Sequence, residues 1–145
     1  IQADLKNYAL ISSKFTLLTS IQLGIAFHSK SIFNGDYYIG GLISSFPNQI
    51  VFAGLNEGTI RTNSAAMVQA GLRYRPYANL YITAKANVVG YDFIKNSELT
   101  KAGNFLSGYS LTLGYNFILG PLELSVMYSD QSKKVLPYIN LGIPF

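Results

Sequence analysis

Large apolar residues recur at every second position along several stretches of this chain, and that period of two decides what the chain can fold into. Phe15, Leu17, Thr19, Ile21, Leu23, Ile25 and Phe27 fall in one row; Thr16, Leu18, Ser20, Gln22, Gly24, Ala26 and His28 fall in the other. Successive side chains of a strand point to opposite faces, so each such stretch reads as a two-faced strand. Ala66, Val68, Ala70, Leu72 and Tyr74 oppose Gln69, Gly71, Arg73 and Arg75 in the same way, and Leu80, Ile82, Ala84, Ala86 and Val88 oppose Tyr81, Thr83, Lys85 and Asn87. Tyr109, Leu111, Leu113, Tyr115 and Phe117 oppose Ser110, Thr112, Gly114 and Asn116; Leu122, Leu124, Val126 and Tyr128 oppose Glu123, Ser125, Met127 and Ser129. The chain ends on the row Ile139, Leu141, Ile143 and Phe145. Residues 2–11 alternate less cleanly. Together these are seven strand candidates, most about 10 to 14 residues long, the length a tilted strand needs to cross a bilayer.

Composition says which solvents the two rows meet. Charged residues are 12% of the chain, about half the share of a soluble domain. Apolar residues are 49% and aromatics 14%. No run of about 18 apolar residues occurs, which excludes a transmembrane helix. The expected fold is therefore all-β: an antiparallel transmembrane β-barrel of seven or eight strands, with lipid on one face and a polar lumen on the other. Residues 1–145 read as one such domain, in the outer membrane of a Gram-negative bacterium, with outer-membrane lipids as its surroundings. The net charge of +4 comes from scattered basic residues. Stacking aromatics and basic residues do not share a face, so no nucleic-acid partner is expected. The absence of cysteine excludes disulfides and thiolate metal sites. No signal peptide precedes the strands, so the chain is expected to be a processed protein or a C-terminal fragment of a longer one.

The connections alternate strictly between two kinds. Ser12-Ser13-Lys14, Pro76-Tyr77-Ala78-Asn79 and Leu119-Gly120-Pro121 are tight turns, whereas 29–61, 92–103 and 130–134 are longer. Outer-membrane barrels have short periplasmic turns and longer extracellular loops. The alternation puts the C-terminus on the periplasmic side. Leu141, Ile143 and Phe145 then form the lipid face of a last strand that barrel-assembly machinery would read.

The order of features resembles the C-terminal part of the BamA-like barrel superfamily. It resembles more closely the barrel attached to patatin-like phospholipases of Gram-negative bacteria. "GLRYRPYANLYITAKAN" and "LGPLELSVMYSD…LPYINLGIPF" carry the resemblance most specifically, and it covers nearly the whole chain. In BamA-like barrels the long loop folds into the lumen with a Val/Ile-Arg-Gly-Phe/Tyr tip, whose Arg pairs with an Asp on a neighbouring strand. Here the matching tip is Phe52-Ala53-Gly54-Leu55, without Arg, and the matching strand position is Asn87, without Asp. Loss of both partners together is coherent, since one buried charge left unpaired is costly. It argues against insertase or secretion chemistry.

Catalytic chemistry is not expected in this chain. Patatin-like enzymes use a nucleophilic Ser in Gly-x-Ser-x-Gly on a strand-to-helix elbow. Ser110 in "GYSLT" lacks the second Gly and sits mid-strand. The only histidine, His28, has Ser29 and Asn34 near in sequence but no triad spacing. The acids are dispersed, so no metal or cofactor is expected. Gln69, Arg73, Arg75, Lys85, Asn87 and Glu123 fall on the predicted lumen side. There the charges either line a pore or pair with one another in a sealed lumen; a narrow barrel favours pairing.

Seven is an odd number, whereas bacterial single-chain barrels have even strand numbers. "DYYIGG" could supply an eighth strand, upstream residues could supply more, or two copies could join edge to edge as a homodimer. The resemblance, to part of a larger barrel, ranks the last two ahead of an isolated ring. The functional expectation is a barrel that anchors, or helps export, a patatin-like lipid acyl hydrolase lying upstream. The rival expectation is a small standalone barrel serving as a scaffold or adhesin.

Overall fold

Strands β1 (Gln2–Ser12) and β2 (Phe15–Ile25) open the chain as a hairpin. Three short strands follow within the first long connection: β3 (Tyr37–Ile39), β4 (Gln49–Ile50) and β5 (Ile60–Thr62). Next come β6 (Ser64–Tyr77) and β7 (Leu80–Tyr91), then a small hairpin of β8 (Ile94–Lys95) and β9 (Glu98–Leu99). The last three are β10 (Asn104–Phe117), β11 (Gly120–Ser129) and β12 (Val135–Leu141). The computed structural model describes residues 1–26, 36–95, 98–99, 104–118 and 120–142.

The seven long strands make one antiparallel sheet in the order β1-β2-β6-β7-β10-β11-β12. Each neighbour pair is also consecutive among the long strands, the up-and-down order that tight turns at one end produce. The less regular stretch at residues 2–11 pairs with β2 from Gln2 to Leu10, with a register shift before Ser12. "DYYIGG" supplies no eighth strand to this sheet. Tyr37–Ile39 is the middle strand of a separate three-stranded sheet, β4-β3-β5, inside the first long connection. The sheet is open: β1 and β12 are its edges and are not paired with each other.

The turn expected at Pro76-Tyr77-Ala78-Asn79 is shorter than its residue types suggested. β6 continues through Tyr77, and Ala78 and Asn79 alone make the turn. Arg75 and Pro76 together oppose Tyr81, a β-bulge between the pairs Tyr74 with Ile82 and Tyr77 with Leu80. A bulge tolerates a proline that has no N–H for the ladder.

In β10 and β11 burial follows the sequence alternation residue by residue, whereas β1 is exposed on both faces. Along β10 the pattern from Gly108 to Gly114 is buried, exposed, buried, exposed, and β11 repeats it from Leu124 to Ser129. The exposed row holds Leu111, Leu113, Leu124, Val126 and Ile139; the buried row holds Ser110, Thr112, Ser125 and Met127. The face that is apolar in sequence is thus the bare one, and the mixed polar face is covered.

The cover is the first long connection, residues 36–62. Tyr37, Ile39, Ile50 and Phe52 pack on Ala65, Met67, Val89 and Leu106 of β6, β7 and β10. Leu42 and Ala53 pack on Met127 of β11, with Leu136 and Tyr138 of β12 beside them. Leu42 and Ile43 also face Lys6 and Tyr8 of β1 across a cavity. A flat sheet would hold β1 and β12 about 29 Å apart, at about 4.8 Å per strand. Two adjacent residues reach both sides because the sheet curls around the inserted segment.

Candidate functional site

Antiparallel partners share a face, so the register turns the inner rows into layers across the wall. Toward the long connections lies the layer of Gln22, Met67, Val89 and Leu106. The next layer is Ser20, Gln69, Asn87, Gly108 and Ser129. Below it come Leu18, Gly71, Lys85, Ser110 and Met127, then Arg73, Thr83, Thr112, Ser125 and Tyr138. Tyr81, Gly114, Glu123 and Asn140 lie nearest the tight turns.

The tip Phe52-Ala53-Gly54-Leu55 lies on the second layer. Phe52 and Ala53 are fully buried, and Leu55 is partly buried. Asn87, itself 3% exposed, grips the tip. With its amide oriented by its surroundings, the side-chain oxygen accepts from Ala53 N–H at 2.7 Å and the nitrogen donates to Gly108 C=O at 2.7 Å. One neutral amide thus ties the tip to the wall through two backbone groups. Two glycines make the approach possible. A Cβ on Gly108 would stand 1.8 Å from Ala53 O, and a Cβ on Gly54 would stand 2.6 Å from Ser129 Cβ. Gly54 also has φ +107°, which an L side chain rarely adopts.

Three further ties fix the segment. Val51 N–H donates to Gln22 Oε1 at 2.8 Å, while Gln22 Nε2 donates to Asp4 Oδ2 at 3.1 Å. The Tyr37 ring lies over Gly24, and its hydroxyl donates to Ile1 C=O at 2.7 Å. Burial pushes this phenol above its ordinary pKa. On the other side of the wall, Tyr138 hydroxyl donates to Glu57 Oε1 at 2.9 Å. Within the segment, buried Gln49 accepts from Ser45 N–H at 2.6 Å and donates to Gly40 C=O at 2.6 Å. Arg61 pairs with Asp36 at its exposed end.

Nearer the tight turns two inner charges, Arg73 and Glu123, are joined through Tyr81 and not by an ion pair of their own. Arg73 lies over the Tyr81 ring, 4.4 Å from its centroid, and donates to Thr83 Oγ1 at 3.1 Å. Tyr81 hydroxyl donates to Glu123 Oε1 at 2.7 Å, and Asn140 Nδ2 donates to Glu123 Oε2 at 3.3 Å. The Tyr81 ring occupies the space above Gly114, where a Cβ would stand 2.1 Å from Cζ. Arg75 does not join by hydrogen bond; it is exposed at the bulge. Lys85 lies one layer up, and Gln69 two layers up with its Nε2 buried and without a hydrogen-bond partner.

Ser110 is buried mid-strand on the inner face, with its hydroxyl unpartnered. Leu141 is exposed on the outer face. Ile143, Phe145, His28, Ser29 and Asn34 lie outside the described residues. No group of three or more His, Asp or Glu side chains that could hold a metal occurs among the described residues.

Sequence reasoning missed the clasp of Gln22 on Val51, the seat of Tyr37 on Gly24 and the reach of Glu57 to Tyr138. A signal for part of this was present. Gly24, Gly108 and Gly114 interrupt inner rows, and glycine inside a strand marks close approach by another group.

A family model described as the OMP85 superfamily matches residues 1–145. Comparison with curated proteins and with solved structures gives no match.

Proposed function

Because the chain belongs to the OMP85 superfamily along its whole length, we propose that it is the barrel wall that anchors a patatin-like lipid acyl hydrolase domain lying upstream. The family places the protein in the outer membrane of a Gram-negative bacterium. Proteins of this family are associated with outer-membrane assembly or transport, and their barrel domains are not catalytic. The hydrolase partner is supported by the resemblance of residues 71–87 and of the last two strands to barrels of patatin-like phospholipases.

Anchoring is favoured over export by one observation: residues 36–62 cover the inner face from Gln22 on β2 to Tyr138 on β12. A folded hydrolase would have to displace that cover to pass. The seven strands are then a section of the wall, since backbone groups on the edges of β1 and β12 need partners inside lipid. Strands beyond these seven, or a second copy, supply them. Lipids surround the exposed apolar row, and barrel-assembly machinery reads the last strand.

The test uses the full-length protein in a Gram-negative host, with a fluorogenic phospholipid and a serine-directed active-site label. Hydrolysis and label should be found in outer membranes. Deleting residues 1–145 should release both from the membrane without abolishing them. A full-length protein that takes no label and hydrolyses nothing would leave the scaffold reading in its place.

A further inference from the structure

The inserted segment covers the inner face unevenly. Toward β12 it packs against the wall, but toward β1 it stands off and leaves a cavity of about 210 Å³ between Leu42 and Ile43 on one side and β1, β2, β6 and β7 on the other. Polar groups from three adjacent strands line it: Ser20, Gln69 and Lys85. Ser20 is 8% exposed, and its Oγ has no hydrogen-bond partner among the described residues. Gln69 Nε2, its cross-strand neighbour, is buried and equally unpartnered.

Lys85 is aimed at the same space. It pairs across the ladder with Gly71, and its Cγ lies 2.9 Å from where a Cβ on Gly71 would be. The Leu18 side chain comes within 3.6 Å of that point from β2. Absence of a side chain at residue 71 therefore lets the lysine stem lean across β6 toward β2. Among the described residues Lys85 has no ion pair and no hydrogen bond. Glu123, which lines a second, smaller cavity together with Lys85, is engaged by Tyr81 and Asn140.

Two acceptors beside the cavity are already engaged. Gln22 Oε1 takes Val51 N–H, and Asp4 takes both Gln22 Nε2 and Lys6. What remains unspent is an ammonium, an amide N–H₂ and a hydroxyl. Buried polar groups without partners, here Gln69 Nε2 and Ser20 Oγ, are costly, and an anion within reach of the Lys85 ammonium adds a charge-assisted bond. The volume suits a phosphate-sized group with a few waters, each occupying about 30 Å³.

We propose that the cavity framed by Ser20, Gln69 and Lys85 is a binding site for a small oxyanion of the phosphate or carboxylate class. The lysine ammonium supplies the charge, and the amide and hydroxyl fix its orientation. The anion fills the part of the inner face that the inserted segment leaves open, so it also bridges β2, β6 and β7 beneath the tip.

The experiment uses the full-length protein, folded in zwitterionic detergent, with inorganic phosphate titrated against chloride at matched ionic strength. Unfolding temperature and phosphorus NMR linewidth are read. Wild type should show saturable stabilisation and line broadening with phosphate. Lys85→Gln should weaken the apparent affinity at least about tenfold, the loss expected for a charge-assisted contact, and Lys85→Arg should retain most of it. A parallel arm in nanodiscs compares phosphatidylglycerol with phosphatidylcholine. Stabilisation there that requires Lys85 identifies a lipid phosphate as the source; stabilisation by free phosphate alone identifies a soluble anion. Equal phosphate responses in wild type and Lys85→Gln overturn the proposal, as does the lack of any response in both arms. If Lys85→Gln does not fold, Gln69→Leu decides, and a wild-type phosphate response in that variant overturns it.

Discussion

At the middle of β10, Leu113 pairs across the ladder with Ile82 and Leu124, and the three are 46%, 38% and 47% exposed. One residue earlier, Thr112 pairs with Thr83 and Ser125, and these are 6%, 1% and 7% exposed. In a water-soluble sheet the exposures would be exchanged. The outer face is apolar because lipid surrounds it, and it needs nothing from the protein beyond a shape that lipid can wet. The inner face is polar yet covered, so each of its groups needs a partner of its own. Mutations on the two faces should therefore fail for different reasons: outside by putting charge in lipid, inside by removing a partner or a space.

The largest effect is expected outside. Arginine at Leu113 or Val126 should destabilise the folded barrel by about 2–4 kcal/mol near the bilayer midplane, read by urea titration of the protein refolded in lipid vesicles. The inner-row control is Tyr8→Arg on β1, which sits beside the cavity and should cost much less. From the sequence alone Thr112 looks like an equally cheap inner position. The structure removes that expectation, because the inserted segment buries Thr112. Equal costs at Tyr8 and Leu113 would break the assignment of the two faces.

Inside, the largest effect should come from filling space. Gly108→Ala would put a Cβ 1.8 Å from Ala53 O, and Gly54→Ala would press on Ser129 while holding an L residue at φ +107°. Each should cost about 1–3 kcal/mol by overpacking and loosen the tip. Protease added to intact cells should leave the wild-type segment uncut near Gly54 and should cut it in both variants. Ready cutting of wild type at that point would mean that the tip is not held on the wall in the living membrane.

How legible this was differs sharply between the faces. The outer rows could be read one residue at a time, since lipid acts on every side chain independently and hydropathy records it. The β1–β2, β6–β7 and β10–β11 pairings were legible too, because tight turns force neighbours in sequence to be neighbours in the sheet. The inner face is set by what packs on it, and that partner comes from 36–62, far away in sequence. A period of two says that Gln22 and Asn87 point inward; it does not say that Gln22 meets Val51 or that Asn87 meets Ala53. The β3-β4-β5 sheet was hidden for a related reason. Its strands are two or three residues long, too short for any period to show.

A comparable effect should come from the latch itself. Asn87→Leu removes both hydrogen bonds of the amide and leaves Ala53 N–H and Gly108 C=O without those partners. The expected cost is about 1–3 kcal/mol. Asn87→Asp keeps the acceptor for Ala53 N–H but loses the donor to Gly108 C=O and buries a carboxylate. It should be less stable than wild type at neutral pH and recover partly on acidification, as the carboxyl gains a proton that can be donated to Gly108 C=O. The comparison is made by urea titration at pH 7 and pH 4. A gain in stability for Asn87→Asp at pH 7 would show that the latch is not read correctly.

The smallest effect tests whether inner polarity matters in its own right. Thr112 Oγ1 and Ser125 Oγ share one buried hydrogen bond of 2.7 Å between adjacent strands. Thr112→Val alone leaves Ser125 with a buried hydroxyl and no threonine partner, and Ser125→Ala alone does the reverse. Each single change should cost about 1 kcal/mol, the usual net worth of one such bond. The double variant removes both hydroxyls and keeps nearly the same shape, so its cost should be close to zero. The interaction energy from the full cycle should then be about 2 kcal/mol and favourable to the pair. If the double variant costs as much as the two singles added together, the hydroxyls act independently, and each must have another partner that the Thr112–Ser125 bond does not account for. If it costs nothing, this layer is polar only because its two members satisfy each other, and an apolar pair would serve the wall equally well under the inserted segment.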